Sequence, residues 1–174
     1  MRSLTISERH SSKIVALSAL VRIADRARRA GKSIVTTNGC FDVLHVGHVR
    51  SLAQAKALGD VLIVGINSDV SARQNKPKGR PIVPARERAE MIAAIDVVDY
   101  VIIFSELTPS TWLTRVRPHI HAKGSDRTLA QVVERDAVKK FGGTLVLLPH
   151  TGRHSTTNII EKILRAPRTV VPKK

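Results

Sequence analysis

At 174 residues, 43% of them apolar, the chain is long enough for one domain with a sizeable core and crowded for two. Its apolar runs are short and broken by charge, which excludes the run of about 18 or more apolar residues that a membrane-spanning helix needs, and residues 1–13 lack the apolar core of a signal peptide. Lys and Arg total 29 against 14 acids, a formal net charge of +15 that implies phosphorylated or polyanionic partners, while 3% aromatic content leaves few platforms for stacking single-stranded nucleic acid.

The single cysteine, Cys40, cannot form an internal disulfide and fits a reducing compartment, so we expect a cytoplasmic protein. Residues 1–12 read as a flexible polar arm. From Lys13 to Ala30, Ile14, Leu17, Leu20, Val21, Ala24 and Ala27 form one helical stripe, and Arg22, Arg26 and Arg29 share another face. The pattern predicts an amphipathic helix over 13–30, stopped at Gly31. Ile34 to Thr37 reads as a first strand. A turn and a helix through Leu58 follow, and then Val61 to Asn67, an almost wholly apolar strand of the kind buried on both faces of a parallel sheet. Asn67-Ser68-Asp69 reads as a polar loop, and 73–84, rich in Lys, Arg, Pro and Gly, as a mobile basic loop. A helix is expected from Pro84 to Ile95, with Met91, Ile92 and Ile95 inward.

Further strands are expected at Tyr100 to Phe104, His119 to Lys123 and Thr144 to Pro149. Helices are expected from Thr108 to about Val116, from about Leu129 to Phe141, and from Ser155 to about Leu164. Residues 165–174 read as a basic C-terminal tail. Alternating strands and helices predict a single α/β domain over 13–164, a Rossmann-like doubly wound sheet of five parallel strands with right-handed crossovers. In such sheets ligands bind beyond the carboxyl ends of the strands, where strand order reverses. The loops starting at Asn38, Asn67, Lys123 and His150 each follow a strand and should converge there.

The stretch Thr37 to His48 stands out on that edge. A buried strand running through a Gly-containing turn into a helix start offers free N–H groups and a positive dipole end to phosphate. His45 and His48, three apart, share a helix face, and Gly47 between them lets an anion approach the backbone. The imidazoles can donate to oxygens that gain charge during reaction. Ser155-Thr156-Thr157-Asn158 opens the last helix on the same edge and forms a second phosphate cradle, with Ser155 or Asn158 as N-cap. One site would then grip a polyphosphate at two places.

Together, the run G-x-F-D-x-x-H-x-G-H, Arg80-Pro81, Arg88, Lys123-Gly124 and Ser155-Thr156-Thr157 resemble the HxGH nucleotidyltransferase superfamily over roughly 34–164. The runs Thr37 to Asp42, Asn67 to Asp69 and Ser155 to Ile160 are most similar to bacterial heptose 1-phosphate adenylyltransferases of lipopolysaccharide core synthesis. In many of those proteins the transferase follows a sugar kinase; this chain lacks room for one and resembles the stand-alone form. Two positions depart from the pattern. Arg127 stands where relatives often carry an aromatic residue, and His154 where they often carry Cys or Ile.

The resemblance implies AMP transfer from ATP, with Mg²⁺, to a sugar 1-phosphate, and a role for each matching residue. His45 and His48 would act at the α-phosphate. Asn38, Gly39, Phe41, Asp42, Gly47 and Lys123 would shape the nucleotide site, with Asp42 either a buttress or a metal ligand. Ser155, Thr156 and Thr157 would hold the β- and γ-phosphates. Lys76, Lys78, Arg80 and Arg88 are candidates for substrate phosphate. The rival within the superfamily is a cytidylyltransferase for a polyol phosphate such as glycerol 3-phosphate; a pantetheine-phosphate adenylyltransferase fits Asn-Gly-Cys-Phe-Asp less well. From another class, a non-catalytic nucleic-acid-binding protein fits the charge but gives two phosphate cradles no purpose. A homo-oligomer is left open.

Overall fold

The computed structural model describes residues 10–124, 128, 131–149, 152 and 154–166. Its elements alternate: α1 (Leu17–Arg29), β1 (Ile34–Gly39), α2 (Val46–Lys56), β2 (Val61–Asn67), α3 (Asp69–Asn75), α4 (Ala85–Ala93), β3 (Tyr100–Phe104), α5 (Ser110–Val116), β4 (Ile120–Gly124), α6 (Arg135–Lys140), β5 (Thr144–Leu148) and α7 (Thr156–Arg165). The five strands are all parallel, in the order β3-β2-β1-β4-β5. The expected doubly wound sheet is therefore present. No helix among the described residues is long and apolar enough to cross a membrane.

Strand alternation divides the core between the two faces of the sheet. On one, Val35, Leu62, Val64 and Ile66 pack with Leu52 and Ala55 of α2 and Ala89, Ile92 and Ala93 of α4. On the other, Ile34, Ile63 and Ile102 meet Leu20, Ala24 and Ala27 of α1, Trp112, Leu113 and Val116 of α5, and Val138 of α6. Each fully buried aliphatic side chain contributes about 1.5–3 kcal/mol, so both layers are needed to hold the central strands dry. At Gly65 a Cβ would lie 2.6 Å from the Trp112 ring, so glycine lets the indole lie directly on β2.

Because β1 pairs with β2 on one side and β4 on the other, the chain leaves these strands in opposite directions and opens a crevice above them. The loop after β1 and the carboxyl end of β4 border that crevice.

Several boundaries differ from the expectations. Lys13 to Val15 is extended rather than helical: Val15 N donates to Val101 O and Val101 N to Lys13 O, both at 2.9 Å, and Ile14 bridges Val101. Pairing with the edge of β3 satisfies backbone groups there, and the helix starts four residues later than the stripe suggested. The polar loop at 67–69 instead caps a helix, with Ser68 Oγ accepting from Ser71 N at 3.3 Å to start α3. The basic loop is thereby shortened to the residues after Asn75. Of the helix expected from Leu129, Leu129 and Ala130 lie outside the described residues, and the α-helix among the described ones is α6, from Arg135. The arm at 1–9, the tail at 167–174, and Arg127 lie outside the described residues.

Candidate active site

Between β1 and α2 the chain makes a tight reversal in which Phe41 and Val43 have φ of 49° and 52°. Left-handed conformations cost side-chain-bearing residues about 1–2 kcal/mol each, so packing must hold them. It does so at Phe41, which is 9% exposed; a Cβ on Gly39 would sit 3.1 Å from its ring. The Phe41 ring lies 5.2 Å from that of His48, and His48 stacks on His45 with centroids 3.8 Å apart. His45 is the N-cap of α2 and His48 its third residue. At this helix start His48 N donates to His45 O at 2.9 Å, and His45 N donates to His48 Nδ1 at 3.4 Å. That bond leaves the ring proton of neutral His48 on Nε2. Among the described residues, His45 Nδ1 is buried without a hydrogen-bond partner.

Burial holds His48 down to about 4, and the neighbouring charges of His45 and Lys76 push the same way. His45 is also lowered, by burial and then by His154. Both rings are neutral at pH 7, suited to donating hydrogen bonds without carrying charge. Gly47 makes the stack fit: a Cβ there would come within 2.9 Å of the His45 ring and 3.1 Å of His154 Cβ.

Asp42 is 2% exposed and faces the basic loop. Its carboxylate accepts from Ile82 N at 3.0 Å and Val83 N at 2.9 Å, and also binds Arg80 Nε. Burial raises its pKa, but these N–H donors and Arg80 outweigh it and leave the acid lowered. Asp42 is a buttress. The loop expected to be mobile is clasped at its far end by residues some forty positions earlier.

The last helix starts against the same turn. Ser155 is its N-cap, its Oγ accepting from Asn158 N at 3.1 Å, which decides between the two caps the sequence allowed. Thr156 Oγ1 donates to Asp42 O at 2.6 Å. The Thr156 hydroxyl proton is thus committed to the protein, and Asn158 N is taken by the Ser155 cap. A cavity of about 500 Å³ lies between the α2 and α7 starts; His45, Gly47, His48, Lys76, Arg80 and Ser155 to Thr157 all line it. A second, of about 390 Å³, adjoins it beyond Asn38 to Cys40 and takes in Lys123.

The family model described as Cytidylyltransferase-like matches residues 36–162, most of the chain and the starts of both α2 and α7. The chain belongs to this family. It is a nucleotidyltransferase by kind. The bifunctional protein HldE of Geobacter metallireducens is 48% identical over 155 residues, 89% of this chain and 32% of that protein. HldE of Geobacter sulfurreducens is 46% identical over the same shares. The chain thus spans about a third of the length of these curated relatives. Among solved structures, a lipopolysaccharide core biosynthesis protein from Thermoplasma volcanium matches with TM-score 0.60 and 30% identity, over 71% of this chain and all of that one. A pantoate-β-alanine ligase from Francisella tularensis, at 15% identity and TM-score 0.58, over 90% of this chain and 79% of that one, shares the fold.

Not every charged residue expected to touch substrate lines one of these cavities. Arg88 is fully buried; Nε donates to Val83 O, NH1 to Cys40 O and NH2 to Asp69 Oδ1, so it braces the loops from below and lines neither cavity. This corrects its assignment to substrate phosphate. Its place among Ala85, Ala89 and Ile92, at helical spacing on the buried face of α4, was the signal for that role. Lys78 is exposed and also outside both cavities, so it is not brought to the site, whereas Lys76 lines both. Sequence reasoning missed Glu134, 2% exposed, which pairs with Lys123 at 2.7 Å and meets His121 at 3.3 Å.

Among the described residues no group of three or more His, Cys, Asp or Glu side chains could hold a metal. With its carboxylate committed to Arg80 and two N–H groups, Asp42 does not fit as a metal ligand either.

Proposed function

We propose that this chain is a sugar 1-phosphate adenylyltransferase, moving AMP from ATP to D-glycero-β-D-manno-heptose 1-phosphate and releasing ADP-heptose and pyrophosphate for lipopolysaccharide inner-core synthesis. The observation that carries it is the convergence of the stacked His45–His48 pair and the α7 start on one cavity, in a chain 48% identical to part of HldE. The Thermoplasma relative's link to lipopolysaccharide core synthesis supports the same pathway.

In this reading the triphosphate lies across the two helix starts. Main-chain N–H groups of α7, with Ser155 and Thr157, hold the β- and γ-phosphates, and His45 Nδ1–H, which has no hydrogen-bond partner among the described residues, donates to a phosphate oxygen. His48 Nε2–H donates to an α-phosphate oxygen. The acceptor phosphate oxygen attacks the α-phosphorus, a P–O bond to it forms as the bond to pyrophosphate breaks in line, and the electron pair leaves with pyrophosphate. Catalysis is positioning plus stabilisation of charge on the transferred group. Mg²⁺ enters as Mg–ATP, carried by the phosphates, and no step depends on a protein ligand to it. A reaction that consumes ATP belongs in the cytoplasm.

The family's own description, Cytidylyltransferase-like, favours a second reading in which the nucleotide is CTP; its acceptor would be a polyol phosphate. Pyrophosphate release with Mg²⁺, testing ATP, CTP, GTP and UTP against heptose 1-phosphate and glycerol 3-phosphate, decides. We expect release only with ATP and the heptose, reduced by about 10²-fold or more in His48→Ala. Release with CTP and glycerol 3-phosphate would install the second reading. Release with no pair, together with salt-sensitive binding to RNA or DNA, would favour a nucleic-acid protein.

A further inference from the structure

Behind Lys123 runs a chain of buried polar contacts. Thr36 of β1 and His121 of β4 are register partners, and both are fully buried. Thr36 Oγ1 lies 2.8 Å from His121 Nδ1. Two residues on, where side chains return to the same face, Lys123 Nζ donates to Asn38 Oδ1 at 2.9 Å. Glu134, the N-cap of α6, closes both rungs: its Oε1 lies 3.3 Å from His121 Nε2 and 2.7 Å from Lys123 Nζ.

Burial lowers the His121 pKa and outweighs the pull of Glu134, so the ring is neutral at pH 7. Its one proton belongs on Nε2, facing the Glu134 carboxylate, and Nδ1 accepts from the Thr36 hydroxyl. Burial would raise the Glu134 acid, but the His121 and Lys123 contacts outweigh it and hold it at about 2, so the carboxylate is charged. Of the three N–H donors on the Lys123 ammonium, one is committed to Asn38 and one to Glu134. The bond to Asn38 also turns that amide, its carbonyl toward Lys123 and its NH₂ group away.

The remaining Lys123 donor and the Asn38 NH₂ group stand at the edge of the nucleotide cavity. Asn38, and Gly124 next to Lys123, line both cavities, and Lys123 lines the second. The Lys123 side chain keeps 15% exposure and that of Glu134 only 2%, so the cation faces outward and the carboxylate backs it. A buried ion pair is weak evidence for stability, and apolar side chains such as Ile34, on the same face of β1, cover the sheet as well. An unsupported lysine, by contrast, samples many rotamers and must be ordered whenever a ligand binds.

Resting on the adenylyltransferase reading, we propose that Glu134 is a positioning residue, which through Lys123 and Asn38 presents two fixed donors to phosphate oxygens at the rim of the nucleotide cavity. Its own carboxylate repels phosphate and acts through the lysine. His121 steadies that carboxylate from the core side. Donors fixed in advance need no reordering as charge grows on the transferred group.

A double-mutant cycle in the full chain tests this, with kcat/KM read by pyrophosphate release and a thermal melt for each variant. Glu134→Gln keeps the shape and removes the charge that anchors Lys123; kcat/KM should fall by about tenfold or more. In a Lys123→Met background the same substitution should change kcat/KM by less than about twofold, because no ammonium remains to be positioned. His121→Phe reaches the carboxylate from behind and replaces Glu134→Gln in the cycle if the latter folds poorly; the Thr36 hydroxyl then keeps Ile120 O, 3.4 Å away, as acceptor. Its loss, about threefold or more, should also vanish without Lys123.

Equal losses with and without Lys123 would mark a merely structural role and overturn the proposal, as would full activity in Glu134→Gln. Failure of the adenylyltransferase reading looks different. The cycle uses the nucleotide and acceptor that the wild-type protein turns over, so turnover of CTP with glycerol 3-phosphate would sink the ATP reading while the coupling still decides the role of Glu134. No turnover with any pair would overturn both.

Discussion

The Asp42 clasp makes a sharp mutational prediction. In Asp42→Asn, one acceptor oxygen and an NH₂ group replace a carboxylate that takes Ile82 N at 3.0 Å, Val83 N at 2.9 Å and the Arg80 guanidinium. The amide cannot serve all of them. If its oxygen faces the main chain, its NH₂ meets Arg80, donor against donor. Hydrogen bonds to charged groups contribute about 1.5–3 kcal/mol each, and stripping one partner from a buried ion pair costs about 3–5 kcal/mol. Arg80 keeps 14% exposure and regains some water, so the expected loss is about 2–4 kcal/mol.

Urea unfolding at pH 7 measures that loss as a lower midpoint at unchanged slope. Limited trypsinolysis reports on the loop itself. Of its basic residues, Lys76 and Arg80 precede proline and resist cleavage, so Lys78–Gly79 is the sensitive bond. It should be cut about tenfold faster or more in the variant, because proteolysis follows the open population. The pH dependence carries a sign. Asp42 has a lowered folded pKa, so its contribution is present above the ordinary carboxylate value and is lost as pH falls through the folded one. Asp42→Asn should flatten that acid limb. A variant within about 0.5 kcal/mol of wild type, cut no faster at Lys78, would refute the clasp.

Gly47→Ala puts a methyl group 2.9 Å from the His45 ring and should lower kcat by about tenfold to a hundredfold through the displaced stack, with little change in melting temperature; steady-state kinetics with a thermal melt separates the two. Arg88→Met leaves Asp69 without its cation and should cost about 3–5 kcal/mol in chemical denaturation; a raised KM without lost stability would return Arg88 to the substrate. His48 should stay neutral on NMR titration until about pH 4. Because an unfolded histidine protonates near 6.5 and this one near 4, the fold should lose stability as pH falls through that window, and His48→Gln should lose less of it.

The strands and their order of appearance were legible because a parallel sheet covered on both faces demands runs such as Val61 to Ile66, which little else in a small domain requires. The two cradles were legible because each is local, a strand end or loop with the next helix start. What was hidden is held by contacts across long separations. Nothing within 13–15 says that these residues will pair with Val101, and nothing around Asp42 says that its partners are Arg80 to Val83. Arg88 and Glu134 were readable in part, since each occupies the buried face of its own helical segment with Ile92 and Val138 respectively. A charge on such a stripe signals a buried ion pair as readily as a misplaced helix face.

The letters of G-x-F-D-x-x-H-x-G-H act as one mechanical unit. Gly39 leaves room for the Phe41 ring, which a Cβ there would meet at 3.1 Å, Phe41 packs on His48, His48 stacks on His45, and Gly47 leaves room for that ring. Asp42 points the other way and ties the unit to the basic loop through its side chain and to α7 through its carbonyl. The histidines and the second cradle are therefore set by the same three-residue reversal at 41–43, whose left-handed φ angles only this packing sustains. The Thr156 hydrogen bond to Asp42 O seats the start of α7 against that reversal, so in the adenylyltransferase reading the spacing of the two helix starts is set before a ligand arrives. On that reading, preorganisation of this kind would spare the reaction the cost of ordering the site, and neutral imidazoles and main-chain N–H groups would do work that otherwise needs more formal charge at the phosphates.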